Sequence, residues 1–253
     1  MAAPTITPIS PANAAPTESE GSPGMGIRNH LLRLLPTSEL DTILARAEDV
    51  TVRSKEVVYR RGETIRHVYF PENCVISIVT ELENGDAVEA MTVGSDGFAG
   101  IALFHGVSAS RLKGIGQISG QAWRLAADEF RELSHSCENF NRVLHRYCQL
   151  IFETVSQSAA CNRLHVIEQR CARWLLMSQD RVGRDEFNLT QEFLAEMLGV
   201  RRPGVTVAMG ALEKAGLIGH SRGMITVVDR PGLEKAACEC YRTVKSRQGE
   251  LIS

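Results

Sequence analysis

The stretch from Leu189 to Leu217, LTQEFLAEMLGVRRPGVTVAMGALEKAGL, constrains the chain more than any other, because it reads as two helices joined by a tight turn. Thr190 is a helix start signal, Glu192 follows in the first turn, and Phe193, Leu194, Met197 and Leu198 fall at helical spacing. Gly199 stops that helix. Ala195 is small where two helices must approach closely, and Val200 and Val205 are apolar on either side of the turn. The second helix can begin at Pro203, since proline is tolerated at a first helical position, and Val205, Ala208, Met209 and Leu212 form its packing side. Its leading edge is then Arg201, Arg202, Gly204, Thr206 and Val207.

A helix N-terminus in a DNA major groove presents its first residues to base edges, and arginine can bond guanine O6 and N7 together. After Leu217 come Ile218, the turn His220-Ser221-Arg222-Gly223 and the β-branched run Met224-Ile225-Thr226-Val227-Val228, which predict a hairpin. Helix, turn, helix and hairpin in this order make a winged helix-turn-helix. The expected DNA-contacting residues are Thr190, Gln191, Arg201, Arg202, Pro203, Gly204, Thr206, His220 and Arg222. Base reading is assigned to Arg202 with Thr206, and phosphate contact to Arg201, Arg222 and His220. The net charge of −2 shows no global basic excess, yet from Met197 to Arg230 there are five Lys or Arg against two acids. The excess is local, as a sequence-specific binder needs.

With 253 residues, 43% of them hydrophobic, the chain can bury a sizeable core and is read as two domains. Residues 1–25, rich in Pro, Ala, Thr and Ser, are expected to form a disordered tail. The segment from Ile27 to Ala47 is helical, interrupted at Pro36, with Thr37-Ser38-Glu39 as the cap of a second helix. The period then changes. Short Val- and Ile-rich strands are predicted at 50–53, 57–59, 67–70, 75–82, 87–93, 114–118 and 120–125, with glycine-bearing turns between them. Such spacing suggests an antiparallel barrel or roll.

Helix resumes from Ala127 to Leu133, and a long helix is predicted from Glu138 to about Asn162. Its stripe Phe140, Leu144, Tyr147, Ile151 and Val155 either pairs with its own copy in a twofold dimer, the favoured reading, or covers the roll. A further helix, Leu164 to Gln179, opens the second domain, and Pro231 begins a terminal helix running to about Lys245. The fold class expected is α+β: a roll domain at 26–136, a dimerisation helix at 137–163 and a winged helix-turn-helix domain at 164–253.

A β-roll, a long pairing helix and a C-terminal winged helix-turn-helix together resemble the Crp/Fnr family of bacterial transcription regulators. The resemblance covers roughly Ile27 to Val228, and is carried most by TQEFLAEMLGVRRPGVTVAMGALEKAGLI, with GETIRHVYF and SDGFAGIALF beside it. It implies a cyclic-nucleotide-binding-like roll, a homodimer on an inverted repeat of double-stranded DNA, contact with RNA polymerase, and control by a small-molecule effector. Cyclic-AMP-binding members carry a Gly-Glu pair for the ribose and an Arg-Ser pair for the phosphate. Placed without gaps, those positions are Ala99-Gly100 and Ser110-Arg111. The carboxylate is absent, and the arginine is displaced by one residue, which in a strand turns it to the opposite face. Gly97, Gly100, Ser110 and Arg111 therefore mark the expected effector pocket, with cyclic AMP binding weakly or not at all. The iron–sulfur branch uses clustered N-terminal cysteines, and the first 73 residues here contain none.

Seven cysteines without a paired framework suit a reducing cytosol, and no run of about 18 apolar residues offers a membrane span. Cys161 and His165 lie four apart on one helical face, but a structural metal needs about four ligands, and no pair near them in sequence supplies the rest. Cys238 and Cys240, two apart on a predicted helix, should face different ways. No metal or other cofactor is expected. His67 and His105 read as structural, Trp123 and Trp174 as core, and no nucleophile with a base or phosphate loop stands out, so no catalytic site is expected. The leading reading is a DNA-binding transcription regulator controlled through its N-terminal domain. The alternative is a cyclic-nucleotide or small-metabolite binding module acting mainly through protein partners.

Overall fold

The computed structural model describes residues 26–85 and 87–251, so the expected tail, 1–25, lies outside the described residues. After two short helices, α1 (His30–Arg33) and α2 (Thr37–Leu44), come the strands β1 (Glu48–Val52), β2 (Val57–Tyr59), β3 (His67–Pro71), β4 (Val75–Glu81) and β5 (Ala87–Val93). A single-turn helix α3 (Ile101–Phe104) precedes β6 (Lys113–Ile118) and β7 (Gly120–Ala126). The strands form two antiparallel sheets, ordered β1-β7-β3 and β2-β6-β4-β5, so the expected roll is present. Helices α4 (Ala127–Ser136) and α5 (Glu138–Leu164) close it. At 27 residues, α5 is about 40 Å long. The helices α1 and α5 start with borrowed oxygens: Asn29 Oδ1 accepts from Leu31 N and Leu32 N, and the Glu39 carboxylate accepts from Asn139 N and Phe140 N. Glu39 thus caps α5 and not its own helix, whose N-cap, Pro36, makes no side-chain bond.

The inward half of the α5 stripe corrects the dimer assignment. Phe140, Leu144 and Tyr147 are buried in the roll's own core, where Phe98 lies 5.1 Å from Tyr147 and Phe130 6.0 Å from Phe140, ring centre to ring centre. Large aromatic rings cannot serve two partners, and the roll claims these first. Gly97 is required here, since a Cβ would come within 2.1 Å of Tyr147 Oη. Ile151 is half-buried, while Phe152 and Val155 remain exposed on the other side of the helix.

The second domain follows a short extended link at His165 and Val166, so α6 (Ile167–Val182) begins three residues later than its spacing predicts. Then come β8 (Glu186–Asn188), α7 (Gln191–Leu198), α8 (Arg202–Lys214), β9 (Ile218–Ser221) and β10 (Met224–Val227). The wing is a three-stranded sheet, β8-β10-β9, whose first strand the apolar pattern does not predict. The terminal helix is not continuous: α9 (Arg230–Ala236) ends where Ala237 turns extended, and α10 (Cys240–Leu251) starts afresh.

This domain is packed on its own roll. Strand β4, VISIVTE, is buried on both faces, with Ile76 and Ile78 in the roll core and Val75 and Val79 in a second core with Cys171, Trp174, Leu175 and Leu194. Polar bonds cross the same boundary. Arg181 on α6 meets both Asp96 oxygens at 3.0–3.1 Å and bonds the Thr92 hydroxyl, while Trp174 Nε1 donates to Glu89 at 3.1 Å. Burial pushes the Glu89 carboxyl up to about 7, against the hydrogen bonds from Ser77 and Trp174.

Candidate nucleic-acid interface

Thr190 opens α7, its hydroxyl oxygen accepting from Phe193 N at 3.2 Å. The helix closes at Gly199, which takes φ +62° and ψ 40°, the left-handed region that only glycine enters freely. Gly199 N donates to Glu196 O, and Val200 N to Ala195 O at 3.0 Å, the pair of bonds that satisfies a helix end while reversing the chain. Arg170 of α6 adds a third restraint, its Nη2 donating to Leu198 O at 2.6 Å. The turn angle is therefore fixed from three sides.

Helix α8 begins at Arg202, one residue before the proline, with Arg201 as N-cap in extended geometry. Pro203 thus lies in the first turn, where its missing N–H costs nothing. Val205, Ala208, Met209 and Leu212 are buried as expected. The opposite face, Arg202, Thr206, Val207 and Gly210, is exposed, with Val207 65% accessible, so an apolar methyl surface stands beside the polar edge. A Cβ at Gly204 would stand 3.1 Å from Ile167 Cδ1, so the glycine serves close packing of α8 on α6.

Two contacts gather the predicted residues onto one surface. Thr206 Oγ1 donates to Gln191 Oε1 at 2.8 Å, which ties the second turn of α8 to the start of α7. Leu189 N donates to Gly223 O at 2.7 Å, which sets the wing turn against the start of α7. In that turn Arg222 (φ +49°) and Gly223 (φ +79°) are both left-handed, as a two-residue hairpin of matching twist demands. The side chains of Arg201, Arg202 and Arg222 are exposed and make no hydrogen bond or ion pair among the described residues. Three bare guanidinium groups thus stand on the two elements, the start of α8 and the wing turn, that meet the start of α7. His220 is half-buried on β9, paired with Ile225.

The effector-pocket positions do not converge in the same way. Gly97 backs onto Tyr147 and Gly100 onto Val68. Ser110 is buried, its hydroxyl oxygen accepting from Leu112 N, and Arg111 is exposed. A small cleft lies instead at the domain boundary, lined by Glu89, Thr92, Arg170, Arg173 and Trp174 among others. Spacing along the chain could not indicate it, because its walls come from β5, α5, α6 and α7.

Residues 169–236 match the Crp-like helix-turn-helix domain family. No curated protein matches the sequence. Among solved structures, FixK2 from Bradyrhizobium japonicum is similar at 15% identity and a TM-score of 0.61, over 76% of this chain and 98% of that one. A proposed Crp/Fnr-family transcriptional regulator from Eubacterium rectale is similar at 16% identity and 0.61, over 81% and 96%. The c-di-GMP-responsive global regulator CLP of Xanthomonas campestris is similar at 13% identity and 0.61, over 76% and 99%. The chain thus carries a Crp-like helix-turn-helix domain at residues 169–236, within a fold similar to that of solved Crp/Fnr-type regulators.

Proposed function

We propose that this protein is a transcription regulator that binds an inverted-repeat operator as a homodimer, with its N-terminal roll governing the position of the reading domain. The observation that carries this is the unpartnered, exposed trio Arg201, Arg202 and Arg222 at the start of α8 and on the wing turn, two elements tied to the start of α7. Exposed guanidinium groups on a rigid helix start and hairpin tip suit a polyanion with hydrogen-bonding edges. Selection of bound duplexes from a random pool tests it. The expected product is a twofold-symmetric site with half-sites about one helical turn apart, and enrichment of no sequence would refute the proposal.

Dimerisation is assigned to the outward face of α5, where Cys148, Phe152, Val155 and Ala159 follow at intervals of four, three and four. Phe152 is 69% exposed and Val155 37%, and an apolar seam at this spacing is what a paired helix presents. Phe152→Asp removes two buried rings per dimer, about 2–3 kcal/mol each, so association should weaken at least about 100-fold. Sedimentation velocity would show monomer with unchanged circular dichroism, because the position is exposed in the single chain. An unchanged dimer excludes this face.

Control through the roll is supported by the boundary bonds. The turn Gly94-Ser95-Asp96-Gly97 accepts from α1 through His30 N→Ser95 O and holds α6 through Asp96 and Arg181. Any ligand that reshapes β5 or this turn changes the hold on α6, and with it the placement of α7 and α8.

A further inference from the structure

We propose that Cys161, His165, Cys238 and Cys240 form a structural zinc site that clamps the end of α5 to the last helix pair. The four residues come from two places 77 positions apart in sequence, and their ligand atoms all lie within 4.8 Å of one another. Cys161 occupies the last full turn of α5 and His165 is its first residue past the end. Cys238 sits in the break between α9 and α10, and Cys240 is the first residue of α10. The break matters: in a continuous helix residues two apart face different ways, whereas here the extended Ala237 turns both thiols toward α5.

The distances suit the metal. Cys161 Sγ is 3.5 Å from Cys238 Sγ, and Cys240 Sγ is 3.6 Å from His165 Nδ1. Tetrahedral zinc with bonds of about 2.3 Å to sulfur and about 2.0–2.1 Å to nitrogen sets its ligand atoms roughly 3.5–3.8 Å apart. A disulfide would need about 2.0 Å, and every cysteine among the described residues is free. Three thiols with one imidazole is a donor set that zinc takes in closed, structural sites.

The surroundings are built for ligation. His165 Nε2 lies 3.2 Å from Glu239 Oε1, so the carboxylate accepts the ring's N–H and leaves Nδ1 as the lone-pair donor. Gln157 Nε2 donates to Cys240 Sγ at 3.0 Å. Arg173, only 7% exposed and with its Nε unpaired, donates from Nη2 to Ser158 Oγ at 2.9 Å, three residues before Cys161, so one buried cation stands beside the cluster and offsets part of the charge of three thiolates. The three cysteines form a buried cluster of their own, at 0%, 3% and 1% exposure, separate from both hydrophobic cores. A hydrophobic core has no need of three thiols and an imidazole meeting at three helix ends. On ligation each thiol loses a proton to solvent, and no oxidant or reductant takes part.

The full chain, purified in reductant without chelator, should carry about one zinc per protomer by plasma mass spectrometry, as a closed four-ligand site does. Cobalt(II) exchange should give the intense visible bands of tetrahedral thiolate coordination. Removing zinc with a strong chelator should lower the melting temperature, and returning zinc should restore it, a result that depends on no variant folding. Cys161→Ser and Cys240→Ser should reduce zinc content at least about tenfold, while Cys148→Ser, outside the cluster, should keep it. A protein that takes up no zinc or cobalt, a Cys161–Cys238 disulfide in the native chain, or full zinc content in Cys161→Ser would each overturn the assignment. Because these readouts use no DNA, they stand apart from the test of operator binding.

Discussion

Arg181→Ala is expected to lower stability by about 3–5 kcal/mol, the usual cost of removing one partner from a buried ion pair. Arg181 is 5% exposed and Asp96 9%, and three nitrogen–oxygen contacts of 3.0–3.1 Å join them. With the guanidinium gone, the carboxylate stays in the domain boundary with the Gly94 and Asp96 amides and Gln248 as neutral donors. The paired change Arg181→Met with Asp96→Leu should cost clearly less than either single change, since no uncompensated charge is left behind. Burial works to raise the Asp96 carboxyl, but Arg181 and the amides hold it below its ordinary value. A depressed folded-state value means that this pair's contribution is complete above the unfolded carboxylate range, near pH 4, and disappears as pH falls below it. Urea unfolding of each variant, followed by tryptophan fluorescence, reads these effects. A loss under about 1 kcal/mol for both single variants would show that the pair is solvated and does not hold the domains together.

The same boundary shows where reading the sequence succeeds and where it stops. All seven roll strands are foreseen within two residues, because β-branched runs separated by glycine turns are local signals. The helix-turn-helix is equally local, since Gly199, Ala195 and Val205 each answer a requirement of one turn. The α5 stripe is legible as apolar but not as to partner: Phe140 and Val155 share a spacing, and only the tertiary fold sends one into the roll and leaves the other outside. Strand β4 does carry a hint. Val75 and Val79 on one face and Ile76 and Ile78 on the other demand cover on both, and the helix-turn-helix domain supplies the second. The cysteine–histidine cluster is illegible because its halves are 77 residues apart and the break at Ala237 has no glycine or proline to announce it. The two short motifs, Cys-x-x-x-His and Cys-x-Cys, sum to four ligands, but nothing along the chain says that they meet.

The other large effect is expected at Arg202. Because Arg202 opens α8, is exposed and has no internal partner for its side chain, its guanidinium costs little to reorient on binding. Thr206 one turn on is held by Gln191, so the base-facing edge of the helix is rigid on its second turn and adaptable on its first. If Arg202 bonds guanine O6 and N7, Arg202→Ala should cost about 1–3 kcal/mol per half-site. Across two half-sites that is about 30-fold to 20,000-fold in affinity, with preference relaxed at one base pair of each. Arg201, at the N-cap, and Arg222, at the wing tip, should act otherwise. Each alanine there should weaken all sequences alike and shallow the salt dependence by about one unit for every phosphate that is no longer neutralised. Binding titrations at three salt concentrations, on the selected site and on a scrambled one, separate the two behaviours. Wild-type affinity and base preference in Arg202→Ala would reassign base reading to Thr206 and Val207, and wild-type binding by all three arginine variants would remove α8 and the wing from the interface.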